Sequence, residues 1–242
     1  MSRGLAISCC ALLALLVAGC ESSQDKSARL AKKGGKAFTA KGLDVKHENP
    51  DVKVTATTVL HDKNGAATVV VLHNSGPTFQ ANVPISIDVL GPDGKSVFKN
   101  DAPGLEPSLV AAPLIQPKGD FIWVNDQVTA AGVAKSVAAK VGRSPGRPPS
   151  GKPPQLVVSP PKVKNDPVSG VEAAGTVTNK SKVEQRQLIV YCVAIRGNKV
   201  VAAGRSGIAR LVPGKTKPYH VYFIGNPAGA RLSLTAPPTV LQ

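Results

Sequence analysis

Residues 186–204 read RQLIVYCVAIRGNKVVAAG. From Leu188 to Ile195 the chain is apolar at both alternating positions, which a strand shows only when both faces are covered. Gly197-Asn198 then supplies the positive φ of a tight hairpin, and a second apolar run returns. The rest of the chain has the same texture. Before this pair lie QLVVSPPKVKN and GVEAAGTVTNKS; after it come ARLVPGKTKPYHVYFIG and ARLSLTAP. The first half offers VKVTATTVLH, AATVVVLHN, VPISIDVLG and DFIWVND, each a short β-branched run closed by Gly, Pro, Asn or Asp. Turn chemistry falls at DKNG (62–65), NSGP (74–77), GPDG (91–94) and QPKG (116–119). No segment there sustains a helical period, so strand and turn spacing predict an all-β sandwich architecture.

The two halves share a plan. A strand ends at Asn74 in one and Asn179 in the other, where an Asx hydrogen bond turns the chain. A longer strand then reaches a glycine hairpin, Asp93-Gly94 or Gly197-Asn198. An apolar residue next meets Pro-Lys-Gly or Pro-Gly-Lys, and an aromatic strand follows, with Phe121 and Trp123 in the first copy and Tyr219, Tyr222 and Phe223 in the second.

Between the halves, TAAGVAKSVAAKVG (129–142) is rich in Ala and is expected to form a short helix or to run into a linker. RSPGRPPSGKPP (143–154) has linker composition, because Pro-rich chain is extended and semi-rigid. A domain boundary is expected there.

At the N-terminus, Arg3 gives a positive start, Leu5–Ala18 an apolar stretch, and Ala18-Gly19 the small residues a signal peptidase accepts. The stretch is shorter than the ~20 residues needed to cross a bilayer. Leu16-Val17-Ala18-Gly19-Cys20 resembles the lipobox of bacterial lipoproteins. That resemblance implies cleavage before Cys20 and acylation of its thiol, and two or more acyl chains hold a protein durably on a membrane. Residues 21–46 then carry seven basic against three acidic side chains around a Gly pair, the composition of a flexible tether. Of the four cysteines, Cys9 and Cys10 leave with the leader and Cys20 takes lipid, so Cys192 is expected without a disulfide partner.

The order of strands and turns in both halves resembles small bacterial envelope domains of the immunoglobulin-like type, including the family named for an FxLYD motif, with IDVLG (87–91) and VYCVA (190–194) standing at the motif's place. The expected fold class is therefore all-β, with two tandem immunoglobulin-like β-sandwich domains after a lipoprotein signal peptide and tether. The expected bounds are 1–19 for the signal, 20–46 for the lipidated cysteine and tether, 47–130 and 155–242 for the sandwiches, and 131–154 for the linker.

Chemistry is sparse. No Gly-x-Ser-x-Gly elbow, phosphate-cradling loop, His-Glu-x-x-His or paired-Cys motif occurs. His61 and His73 stand where a hairpin could face them, without the Cys or acidic pair that completes a metal set. Trp123, with Asn125 and Asp126, has the parts of a sugar-stacking site, though a core tryptophan is the commoner role in a sandwich. No catalytic residue, cofactor or metal is expected, and Cys192 reads as a small buried hydrophobe. A formal charge of +15 points to anionic partners. With aromatics at 4%, it lacks the stacking platform of a nucleic-acid binder. The expected function is a membrane-anchored, exported, non-enzymatic interaction or scaffold module of the cell envelope, its lipid on Cys20 and its partner an envelope protein. The alternative is electrostatic binding of an anionic wall polymer or lipid by the basic C-terminal half.

Overall fold

Alternating burial along the strands sorts the side chains into two apolar cores and one seam between them. The computed structural model describes residues 42–166 and 170–242. The first half runs β1 (Val52–Asp62), β2 (Gly65–Asn74), β3 (Gln80–Leu90), β4 (Ser96–Lys99), a 3-10 turn (Pro107–Leu109), β5 (Ala111–Ile115), β6 (Gly119–Val128) and β7 (Ser136–Val141). The second runs β8 (Leu156–Val158), β9 (Lys162–Asp166), β10 (Gly170–Asn179), β11 (Gln185–Arg196), β12 (Lys199–Leu211), β13 (Thr216–Tyr222), β14 (Ile224–Gly225) and β15 (Arg231–Thr235). The fold is all-β, and every pairing between named strands is antiparallel.

In the first half the sheet β1-β2-β6 faces a second sheet in which β3 pairs with β4, β5 and β7. In the second half β10 lies between β13 and the successive β8 and β9, while the facing sheet runs β14-β12-β11-β15. The Ala-rich stretch expected to be helix or linker is strand instead: Ser136–Val141 pairs with β3 from Leu90 to Ile85. Val137 and Val141 point into the apolar cluster, and the partly buried Ala139 packs against it. Tertiary pairing overrides the helix propensity of alanine here, and the connecting segment shrinks to residues 143–154.

The repeat is visible in hydrogen bonds. Asn74 donates from Nδ2 to Thr78 O and Gln116 O and accepts from Gly76 N–H; Asn179 donates to Val183 O and Leu211 O and accepts from Ser181 N–H. Both side chains are fully buried, so each satisfies the backbone of a turn that water does not reach. Three residues into the following strand, Asn82 (φ 48°) and Gln187 (φ 49°) take the same left-handed backbone conformation, with the pairing register unbroken on either side. Lys118 (φ 51°) and Gly214 (φ 72°) match at the turn into the aromatic strand. Trp123, opposite Val70, answers to Tyr219, opposite Gly175. Trp123 Nε1–H donates to Ser108 O at 2.9 Å and Tyr219 O–H to Ser159 O at 3.0 Å. The second copy needs glycine at 175, because a Cβ there would lie 2.5 Å from the Tyr219 hydroxyl.

Strand β11 is covered on both faces, as its sequence implies. Leu188, Val190, Cys192 and Ala194 enter the core of the second half. Ile189, Tyr191 and Val193, on the other face, join Ala203 of β12 in the apolar cluster of the first half. The expected pair of sandwiches thus shares a buried seam, in addition to the segment that connects them. Gly42–Gln242 lies within one compact unit.

Candidate functional site

One ion pair fixes the seam. Asp126 on β6 accepts the Arg205 Nε–H at 2.8 Å through Oδ1 and the Arg205 backbone N–H at 2.9 Å through Oδ2. Arg205 Nη1–H donates to Ser108 Oγ at 3.0 Å. The side chains are 5% (Arg205) and 19% (Asp126) exposed, so the pair is largely desolvated and its geometry restricts how the halves meet. A second clasp joins the Gly225 N–H to Asp62 Oδ2 at 2.8 Å. Beside the first, Tyr191 packs edge-on against Phe121, ring centroids 5.3 Å apart. Among the described residues its buried hydroxyl has no hydrogen-bond partner, and burial pushes its pKa well above the usual phenol range.

Where the sheet β1-β2-β6 stops covering β11 and β12, a groove of about 580 Å³ opens along the seam. Its floor is Ile189 and Tyr191 with Gly207 and Ala209, whose small size leaves the depression unfilled. A Cβ on Gly207 would meet only Ile189 Cδ1, at 3.8 Å. Pro107 and Pro113 form the opposite wall. The two left-handed residues, Asn82 and Gln187, both line this groove, so one structural device of the repeat shapes it from either side. Its size, apolar floor, polar rim and place between two halves match the usual character of ligand sites.

The residues singled out in the sequence are placed as follows. Cys20 lies outside the described residues. Trp123 is fully buried, so it packs the core and offers no face to a sugar; Asn125 is buried beside it and accepts from Gln127 N–H. Asp126 belongs to the seam. His61 pairs across its hairpin with Ala66, and His73 with Lys53, so the two histidines do not meet; His73 Nδ1 lies 2.7 Å from Asp120 Oδ1. On the outer sheet of the second half, Glu172 sits between His220 (3.2 Å) and Lys164 (3.8 Å). Among the described residues no three His, Cys, Asp or Glu side chains gather as a metal set. Cys192 is a free thiol in the second core, its pKa pushed up to about 12 by burial. Among the described residues no helix is long and apolar enough to cross a membrane.

Sequence reasoning missed the Asp126–Arg205 pair, because the partners are far apart in the chain. The signal was nevertheless present: an arginine in the apolar stretch VVAAGRSGIA of β12 must find an anion or leave the interior.

The basic residues of the second half are not evenly placed. Lys180 and Lys182 flank the Asn179 turn, and Lys215 and Lys217 begin the adjoining strand. Backbone bonds tie the two segments together: Asn179 N–H to Lys215 O at 3.0 Å and Gly214 N–H to Asn179 O at 2.9 Å. All four lysines are exposed. The nearby carboxylate in sequence, Glu184, is already held by Arg210 and Arg186, which keep its pKa below the ordinary carboxylate value.

No protein-family model matches the chain, and comparison with curated proteins finds no match.

Proposed function

We propose that the protein is an exported lipoprotein, held on a membrane through acylated Cys20, whose folded part is a non-enzymatic interaction module of the cell envelope. The observation that carries the interaction role is the groove at the seam: it is preformed, apolar and held between two halves that Asp126 and Arg205 clamp together. A site kept on rigid elements binds without first ordering itself. The thiol of the second core and the phenol at the seam support a packing role, since burial holds Cys192 and Tyr191 in their neutral, unreactive forms. The anchor rests on the sequence from Leu16 to Cys20.

Metabolic labelling with an alkyne fatty acid tests the anchor. Label on the wild type and none on Cys20→Ala supports it; label that persists in the variant refutes it. For the groove, a photo-crosslinking residue at Ala209 is expected to capture a partner in cells, and Gly207→Leu, which fills the floor, to abolish the capture. Equal capture from exposed Val133, outside the groove, would refute the site.

A second reading is electrostatic: the C-terminal half binds an anionic polymer or lipid of the envelope. The four clustered lysines at the Asn179 turn favour it.

A further inference from the structure

The two copies of the repeat allow a comparison within one chain. The Asn74 and Asn179 turns use the same buried asparagine, the same pair of carbonyl acceptors and the same left-handed residue before the aromatic strand. Lys180 and Lys182 correspond to Ser75 and Pro77, one and three residues past the asparagine, while Lys215 and Lys217 correspond to Gly119 and Phe121. The first copy builds the turn with no cation at any of these four places, so the turn does not require them. Around it the first copy's polar side chains have partners: His73 Nδ1 lies against Asp120 Oδ1, and Lys118 Nζ donates to Ser75 O. In the second copy none of the four lysines has a carboxylate partner among the described residues. Four exposed lysines on two adjoining backbone segments concentrate positive charge at one end of the second half, and such a patch attracts an anion.

We infer that this lysine cap is the surface by which the protein holds a linear, phosphate-bearing polyanion, a proposal that rests on the electrostatic reading above. The shape of the patch favours a chain over a bilayer. Lys215 and Lys217 lie two residues apart on one strand, about 7 Å, and the Asn179 segment runs alongside at about 5 Å. That is a short row on one turn, suited to successive phosphates. The residues of the cap itself, 180–182 and 213–217, include no large exposed apolar side chain to enter a membrane. Lysine supplies flexible point charges with rotatable donors, so the row reads backbone charge and not the identity of the repeating unit.

The probe is long-chain inorganic polyphosphate, titrated against the exported chain carrying Cys20→Ala so that no acyl group contributes. Each lysine contact releases about 0.7 counterion, so at 0.1 M salt each is worth roughly fivefold in affinity. Lys180→Gln with Lys182→Gln is expected to weaken binding about 25-fold. Lys215→Gln with Lys217→Gln should do the same, so that a fold-damaged variant of one pair leaves the other to decide. All four together should remove the measurable salt dependence.

A charge-matched control changes Lys63, Lys135, Lys140 and Lys199 to Gln, all exposed and outside the cap. It is expected to lose less than about threefold. Equal losses from cap and control would overturn the cap while leaving electrostatic binding in place, as would unchanged binding by the cap variants. No binding by the wild type at low salt, to polyphosphate or to vesicles containing phosphatidylglycerol, overturns both. Binding confined to vesicles containing phosphatidylglycerol overturns the linear polymer as the occupant.

Discussion

Removing Asp126 tests whether the seam is a structural unit. Asp126→Ala leaves the Arg205 guanidinium, 5% exposed, with Ser108 Oγ as its remaining side-chain acceptor. Breaking a buried pair from one side typically costs about 3–5 kcal/mol, because the stranded charge keeps its desolvation penalty. With Asp126 itself 19% exposed, the lower end applies, about 3 kcal/mol. Arg205→Met is expected to be milder, about 1–2 kcal/mol, since the aspartate reaches solvent more easily and the backbone N–H at 205 still donates to it.

The assay is urea unfolding followed by the fluorescence of Trp123, the sole tryptophan. Its indole is bound to Ser108, the residue that also receives Arg205. For an m-value of about 2–3 kcal/mol per molar, Asp126→Ala should lower the midpoint by about 1–1.5 M. The double variant should recover about 2 kcal/mol of coupling in a mutant cycle. A midpoint shift below about 0.4 M would refute the desolvated-clamp reasoning. Because one apolar cluster joins β11 to the first half, circular dichroism should report the same single transition as fluorescence; two separated transitions would refute the shared seam.

Asn179→Asp keeps the shape of the turn but sets a carboxylate oxygen against Val183 O and Leu211 O, and should cost about 3 kcal/mol in the same unfolding assay. Asn74→Asp should behave alike, by the repeat. Cys192 in the folded protein should resist iodoacetamide at pH 8, four units below its raised pKa, and react on unfolding, as peptide mass mapping will read. Hydrogen bonding to Arg210, then Arg186, lowers the pKa of Glu184 in the folded state, so its stabilising contribution is present above its ordinary value of 4.5 and is lost as pH falls below it through the folded value. The stability gap between wild type and Glu184→Gln should therefore be flat above about pH 6 and close on acidification, and added salt should narrow it.

Local chemistry was legible wherever one residue decides the backbone. The asparagine turns were found from their dipeptides, and the hairpin glycines take positive φ as expected, 77° at Gly94 and 59° at Gly197. The double-sided apolarity of Leu188–Ile195 correctly implied cover on both faces. What covers the second face could not be read, because Ile122 and Val124 of β6 look like any half-buried strand until the partner sheet is known. The same limit hid β7: alanine fits helix, linker or strand, and its pairing with β3 is settled by register over a distance of some fifty residues. The groove was illegible for a related reason, being made by the small size of Gly207 and Ala209 at a place where another element ends.

The exposed Pro-rich segment acquires a different meaning once the halves hold each other directly. Residues 143–154 restrict the search of one half for the other but need not transmit their alignment, which the seam supplies. A chain cut there should yield two fragments that remain a noncovalent pair, and the same break offers new termini for a circular permutant. The linker composition that first suggested independent bodies thus marks a site where covalent continuity is dispensable to assembly.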